Sequence, residues 1–113
     1  MSCLFCKIVA GEIPARMVKE NEHVLAFHDV NPVAPTHVLV IPRKHITSVH
    51  DANPDDQAML GSLMLTAKEV AETLGLGADG YRLVINTGKN GGQSVFHLHL
   101  HVIGGRPMAW PPG

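Results

Sequence analysis

The chain has 113 residues, 45% of them hydrophobic and 17% charged, with a formal net charge of −1. That length fits one domain, 1–113, with a core of its own, and the absence of a basic excess argues against duplex DNA or long RNA as a partner. No run approaches about 18 apolar residues and no signal-type segment opens the chain, which argues against membrane spanning and secretion; two cysteines make no disulfide framework, so the cytoplasm is the expected address.

Leu4, Phe5, Ile8 and Val9 recur at helical spacing and predict a short helix within residues 2–10 that turns Leu4, Phe5 and Ile8 inward. Gly11-Glu12-Ile13-Pro14 ends it. Cys3 and Cys6 form a Cys-x-x-Cys pair in the same segment, which reads as half of a tetrahedral zinc site, as two free thiols or as a redox pair, the last without a thioredoxin-like context. Residues 16–20 and 24–30 read as two strands around a turn at Asn21-Glu22. Pro32 and Pro35 keep regular structure out of 31–36, and a third strand covers 37–41, closed by Pro42. Arg43 and Lys44 read as a solvated strand end, and His23 and His50 as surface residues.

Asn53 is a good helix N-cap, followed by Pro54 at the first helical position and by Asp55 and Asp56 at the positive end of the helix dipole. Leu60, Leu63, Met64, Ala67, Val70, Ala71 and Leu74 then form one apolar stripe, with methionine as core filler, and Gly75 and Gly77 stop the helix. Residues 81–86 and 95–103 read as the fourth and fifth strands. This order predicts an α+β fold: a five-stranded, mostly antiparallel sheet with one long and one short helix. With both helices on one face, the other face needs its own cover.

Residues 97–102 read His97-Leu98-His99-Leu100-His101-Val102. A strand has a side-chain period of two, so the three imidazoles share one face and the apolar residues take the other. Such rings can be inert, can ligate a metal, or can be a nucleophile flanked by proton-handling neighbours. The glycine-rich loop Thr87–Ser94 leads straight into them. Its backbone N–H groups can converge on an anion and Ser94 adds a hydroxyl, so the pairing looks like a phosphate cradle set against a nucleophile.

The alternating run resembles the signature of the histidine triad superfamily of nucleotide hydrolases and transferases. The resemblance extends through Phe27-His28-Asp29-Val30, Ala34-Pro35-Thr36-His37, Val40-Ile41-Pro42-Arg43-Lys44-His45 and Gly91-Gly92-Gln93-Ser94-Val95. Gly104-Gly105-Arg106 and Trp110-Pro111-Pro112-Gly113 look like the Hint branch, the purine nucleoside phosphoramidases. This resemblance implies a homodimer whose sheets join into ten strands, and a purine nucleoside monophosphate or phosphoramidate as ligand. It implies His99 as nucleophile, forming a phosphohistidine nucleotidyl intermediate. His101 would transfer a proton to the amine or bind a phosphate oxygen, His37 would complete the relay, and Ser94 would bond the bridging atom.

For the nucleotide, the resemblance assigns Asp29 to the ribose hydroxyls and Phe5, Ile8, Phe27, His28 and Val30 to the base wall. Asn86, Gly92, Gln93, Ser94 and Val95 would face the phosphate. His45 and His97 would join Cys3 and Cys6 around a structural zinc, with no cofactor required for catalysis. A dinucleoside polyphosphate hydrolase, a metal centre built on the three strand histidines, and a nucleotide-binding interaction module are the alternative readings.

Overall fold

A computed structural model describes residues 3–113; Ser2, part of the expected first helix segment, lies outside the described residues. In chain order come α1 (Leu4–Val9), β1 (Met17–Glu20), β2 (Val24–His28), β3 (Thr36–Pro42), α2 (Gln57–Thr73), β4 (Tyr81–Ile85), α3 (Gly88–Gly91) and β5 (Leu100–Gly104). The five strands form one sheet in the order β1-β2-β3-β5-β4, and every neighbouring pair is antiparallel. Among the described residues no helix is long and apolar enough to cross a membrane.

The central strands are buried on both faces, which is why they read as apolar runs. Val24, Ala26, Val38 and Val40 point to one side, where they pack with Leu63, Ala67 and Val70 of α2. Leu25, Phe27, Leu39 and Ile41 point to the other, where they pack with Phe5 of α1. The helices therefore lie on opposite faces, not on one. α1 is itself the cover of the second face: Phe5 packs on Phe27 with ring centroids 5.7 Å apart at 74°, and Ile8 and Val9 pack against the same cluster. Leu4, expected inside, is 47% exposed.

Asn53 caps the long helical segment as its sequence predicts. Its side chain accepts from Asp55 N (3.0 Å), while Asp56 Oδ2 accepts from Asn53 N (3.1 Å) in a capping box. The first turn, Pro54–Asp56, is 3-10, and the α-helix proper begins at Gln57. Its buried arc is Met59, Leu63, Thr66, Ala67, Val70 and Ala71. At about 100° per residue that arc is centred so that Met64 falls outside it. Met64 is accordingly 49% exposed, and Met59 fills the core instead. Buried Thr66 is satisfied by Asn21, whose amide donates to its hydroxyl at 3.1 Å.

The fifth strand begins at Leu100, not at Val95. β3 and β5 pair Val40 with Leu100, so the next outward rung would set Leu98 against Pro42, which has no N–H to give. The ladder stops there and Leu98 N donates instead to Ile46 O at 2.8 Å. Side-chain alternation survives the break: Leu98, Leu100 and Val102 all join the α2-side core. β2 likewise ends at His28 before the expected Val30, which is 89% exposed.

Replacing Asn53 by Ala removes one half of the capping box and is expected to lower unfolding free energy by about 1 kcal/mol. Urea denaturation measures this, and an unchanged midpoint would show that the box contributes nothing.

Candidate active site

On the α1 side the sheet carries a cleft of about 830 Å³. The residues expected around base and ribose, Phe5, Ile8, Phe27, His28, Asp29 and Val30, all line it. So do His37, Ser94, Val95, His99 and His101. Asn86, Gly92 and Gln93 do not. The Gln93 amide is engaged in shaping the loop: Oε1 accepts from Gly88 N at 2.9 Å, and Nε2 donates to Thr47 O (2.6 Å) and Val95 O (3.0 Å). Gly92, at φ 79°, ends the short helix α3 that occupies the middle of the glycine-rich loop. That loop holds Ser94 and Val95 at the cleft instead of lining it throughout. Arg16, Val33 and Leu39 also line the cleft and escaped the sequence reading. The signal for Arg16 is strand pairing, since its carbonyl accepts from His28 N at 3.0 Å.

The bonds around the histidines fix their tautomers. His99 Nδ1 lies 2.8 Å from the His97 carbonyl oxygen, which can only accept. Nδ1 therefore carries the proton, and in the neutral ring the lone pair sits on Nε2. Val33 N donates to His37 Nδ1 at 3.2 Å, which leaves the His37 proton on Nε2. His37 Nε2–H points at His101 Nδ1, 2.8 Å away, with Asp29 Oδ2 at 3.4 Å. His101 Nδ1 accepts, so its own proton is on Nε2. That buried atom has no hydrogen-bond partner among the described residues. An unshared acceptor on His99 and an unshared donor on His101 thus stand side by side, with ring centroids 5.0 Å apart.

Burial sets the charge of these rings. It pushes the His101 pKa down to about 4, with the neighbouring His99 and His37 acting the same way and Asp29 against them. His37 is also held below the usual histidine value by burial, opposed by Asp29. Asp29 keeps its place through Oδ1, which accepts from Asn31 N at 2.8 Å.

A second cluster lies beneath the first. Cys3 Sγ is 3.4 Å and Cys6 Sγ 3.6 Å from His97 Nδ1, His45 Nδ1 is 3.1 Å from the same atom, and Cys6 Sγ is 3.3 Å from His45 Nδ1. All four potential ligand atoms lie within 4.8 Å of one another. His97 Nε2 donates to Pro42 O at 2.9 Å, which turns the Nδ1 lone pair toward the two sulfurs. The three strand histidines do not converge on one point: His97 faces this cluster, His101 faces Asp29 and His37, and His99 belongs to neither metal-capable group of the described residues. In the second group His37 Nε2 bears a proton and offers no lone pair.

The HIT domain family model matches residues 10–108. An uncharacterized HIT-like protein of Synechocystis is 58% identical over 110 residues, which cover 97% of this chain and 96% of the relative. A HIT family hydrolase from Legionella pneumophila superposes with a TM-score of 0.96 at 54% identity, over 99% of this chain and 100% of that one. A histidine triad nucleotide-binding protein from Candida albicans gives 0.84 at 34% identity, over 97% and 83%.

The depressed histidine values have a stability consequence. Between pH 6.5, the ordinary histidine value, and about 4, the unfolded chain binds a proton at residue 101 that the folded chain refuses. Stability therefore rises with pH across that window and falls as pH drops through it. Denaturant titrations at pH 7 and 4.5 should show this loss, and His101→Gln should make it shallower. An equal loss in the variant would contradict the burial effect.

Proposed function

The chain belongs to the HIT domain family, and from that premise we propose that it hydrolyses the P–N bond of purine nucleoside phosphoramidates through a nucleotidyl-histidine on His99. The observation that carries the reading is the His97 carbonyl bond to His99 Nδ1, which leaves Nε2 as the free nucleophilic atom in the cleft. Nε2 attacks phosphorus, a new P–N bond forms, and the original P–N bond breaks. One P–N bond replaces another, so the intermediate is not steeply uphill.

The leaving amine needs a proton, and His101 Nε2–H is the unpartnered donor beside the nucleophile. A phosphoryl anion in the cleft raises the His101 pKa from its low resting value, so the ring takes up the proton it delivers. In the resting site His37 Nε2–H on His101 Nδ1 orients the ring; once Nδ1 takes up its proton, the His37 N–H turns to Asp29 Oδ2, 3.4 Å from Nε2. In the second half, His101 takes a proton from water as the water attacks phosphorus, and His99 leaves as neutral imidazole. Nucleoside monophosphate and amine are the products. General acid–base help of this kind contributes about 10²–10⁴-fold. Ser94 lies on the cleft wall to bond the bridging atom, and Asp29 offers acceptor oxygens to the ribose hydroxyls.

The Cys3–Cys6–His45–His97 cluster fits a structural zinc. Bond lengths of about 2.3 Å to sulfur and 2.0 Å to nitrogen in a tetrahedron set ligand atoms about 3.3–3.8 Å apart, close to the spacings of the cluster. Zinc there would crosslink α1 to the sheet, and four protein ligands leave no open position for chemistry. We also propose a homodimer joined at the β4 edge into a ten-stranded sheet. β1, the other edge, is bulged between Met17 and Lys19 and carries Lys19 and Glu20, features that discourage pairing. β4 is regular and largely apolar.

His99→Ala should abolish turnover of adenosine 5′-phosphoramidate while nucleotide binding, followed by calorimetry, persists. Turnover surviving in that variant would overturn the assignment. Cys6→Ser should lower bound zinc, measured by elemental analysis, and reduce Tm by at least about 5 °C. Unchanged metal content and Tm would refute the zinc reading.

A further inference from the structure

Three of the four arginines have their guanidinium groups engaged. Arg43 donates to Asn21 O, Arg82 to Ala109 O, and Arg106 to Val33 O. Among the described residues Arg16 makes no side-chain hydrogen bond or ion pair, is exposed, and is the only arginine or lysine on the cleft wall. The strand pairing sets it beside His28: Arg16 O accepts from His28 N at 3.0 Å. Its charge registers on His28 and not on His37 or His101, so it stands away from the phosphorus end. Asp29, the one acid on the cleft wall among the described residues, faces Asn31 N and His37 and does not neutralise it.

We propose that Arg16 reads the purine's six-position edge, donating to guanine O6 and N7, and so makes the site prefer guanosine over adenosine nucleotides. This rests on the nucleotide reading above. With phosphorus at His99 Nε2, ribose at Asp29 and the base against Phe5 and Phe27, the far edge of the ring is what remains for the His28 side of the cleft. A guanidinium has donors only, in a fork that matches the two acceptors O6 and N7 of guanine. Adenine keeps the N7 acceptor but presents an amino donor in place of O6, so the fork loses one of its two bonds and meets a donor at the six-position. Arg16 is solvent-exposed, so the discrimination belongs at the low end of the range for such a pair, about tenfold.

Calorimetric Kd values for GMP and AMP, with kcat/KM for the two nucleoside phosphoramidates, test the assignment in wild type, Arg16→Met and Arg16→Lys. Arg16→Met keeps the aliphatic stem, and Arg16→Lys keeps the charge without the fork. Wild type should favour the guanine compounds by about tenfold, Arg16→Met should bring the ratio close to one, and Arg16→Lys, whose ammonium still donates to O6 and N7, should keep part of the preference. Equal or adenine-favouring affinity in wild type, or an unchanged ratio in Arg16→Met, overturns the proposal while leaving the hydrolase reading intact. An equal loss on both purines in Arg16→Met also overturns it, because the arginine would then serve a group common to both. Failure to bind either nucleotide overturns both readings.

Discussion

One hydrogen bond, 2.8 Å from His99 Nδ1 to the carbonyl of His97, governs the chemistry open to this site. It joins residues two apart in sequence, so it needs a backbone carbonyl that no strand partner has claimed. Pro42 provides for that. Lacking an N–H, it ends the β3–β5 ladder short of Leu98, and its own carbonyl takes the His97 Nε2 proton at 2.9 Å. His97 thereby serves two centres. Its ring turns a lone pair to the cysteines and its backbone orients the ring of His99.

The same sheet face carries two groups of histidines with different protonation logic. At His97 and His45 the nitrogens face thiols 3.3–3.6 Å away, an arrangement suited to lone pairs converging on a cation. At His37 and His101 a chain of single protons runs from the Val33 amide to the unshared N–H of His101. Burial keeps His101 neutral down to about pH 4, so its donor stays directed and available until an anion enters the cleft. Phe5 joins the first group to the nucleophile, with its ring 5.8 Å from that of His97 and 5.3 Å from that of His99, edge to face.

Much of this was legible in the sequence, and the misses have physical causes. Alternation at 97–102 sorts histidines from leucines correctly because a two-residue period persists even where the ladder has stopped. The strand start does not follow from that period; it depends on Pro42, fifty-odd residues upstream, being the rung opposite Leu98. Helix phase is similar: the pattern 60–74 gives the helix, but choosing Met59 over Met64 depends on how α2 sits on β2 and β3. Gln93 reads as a phosphate ligand within a glycine loop, whereas both N–H donors of its side-chain amide go to Thr47 O and Val95 O and its Oε1 accepts from Gly88 N. Arg16 was invisible because a lone arginine at a strand start has no local pattern; only the pairing of β1 with β2 brings it to the cleft.

The most direct test of this account reads the His99 ring itself. Long-range ¹H–¹⁵N correlation on histidine-labelled protein near pH 8, assigned with His99→Gln, distinguishes a protonated from an unprotonated nitrogen at each ring position. The account predicts an Nδ1–H tautomer for His99, with Nε2 unprotonated. A proton on Nε2 at that pH would leave the ring without a nucleophilic atom facing the cleft and would contradict it.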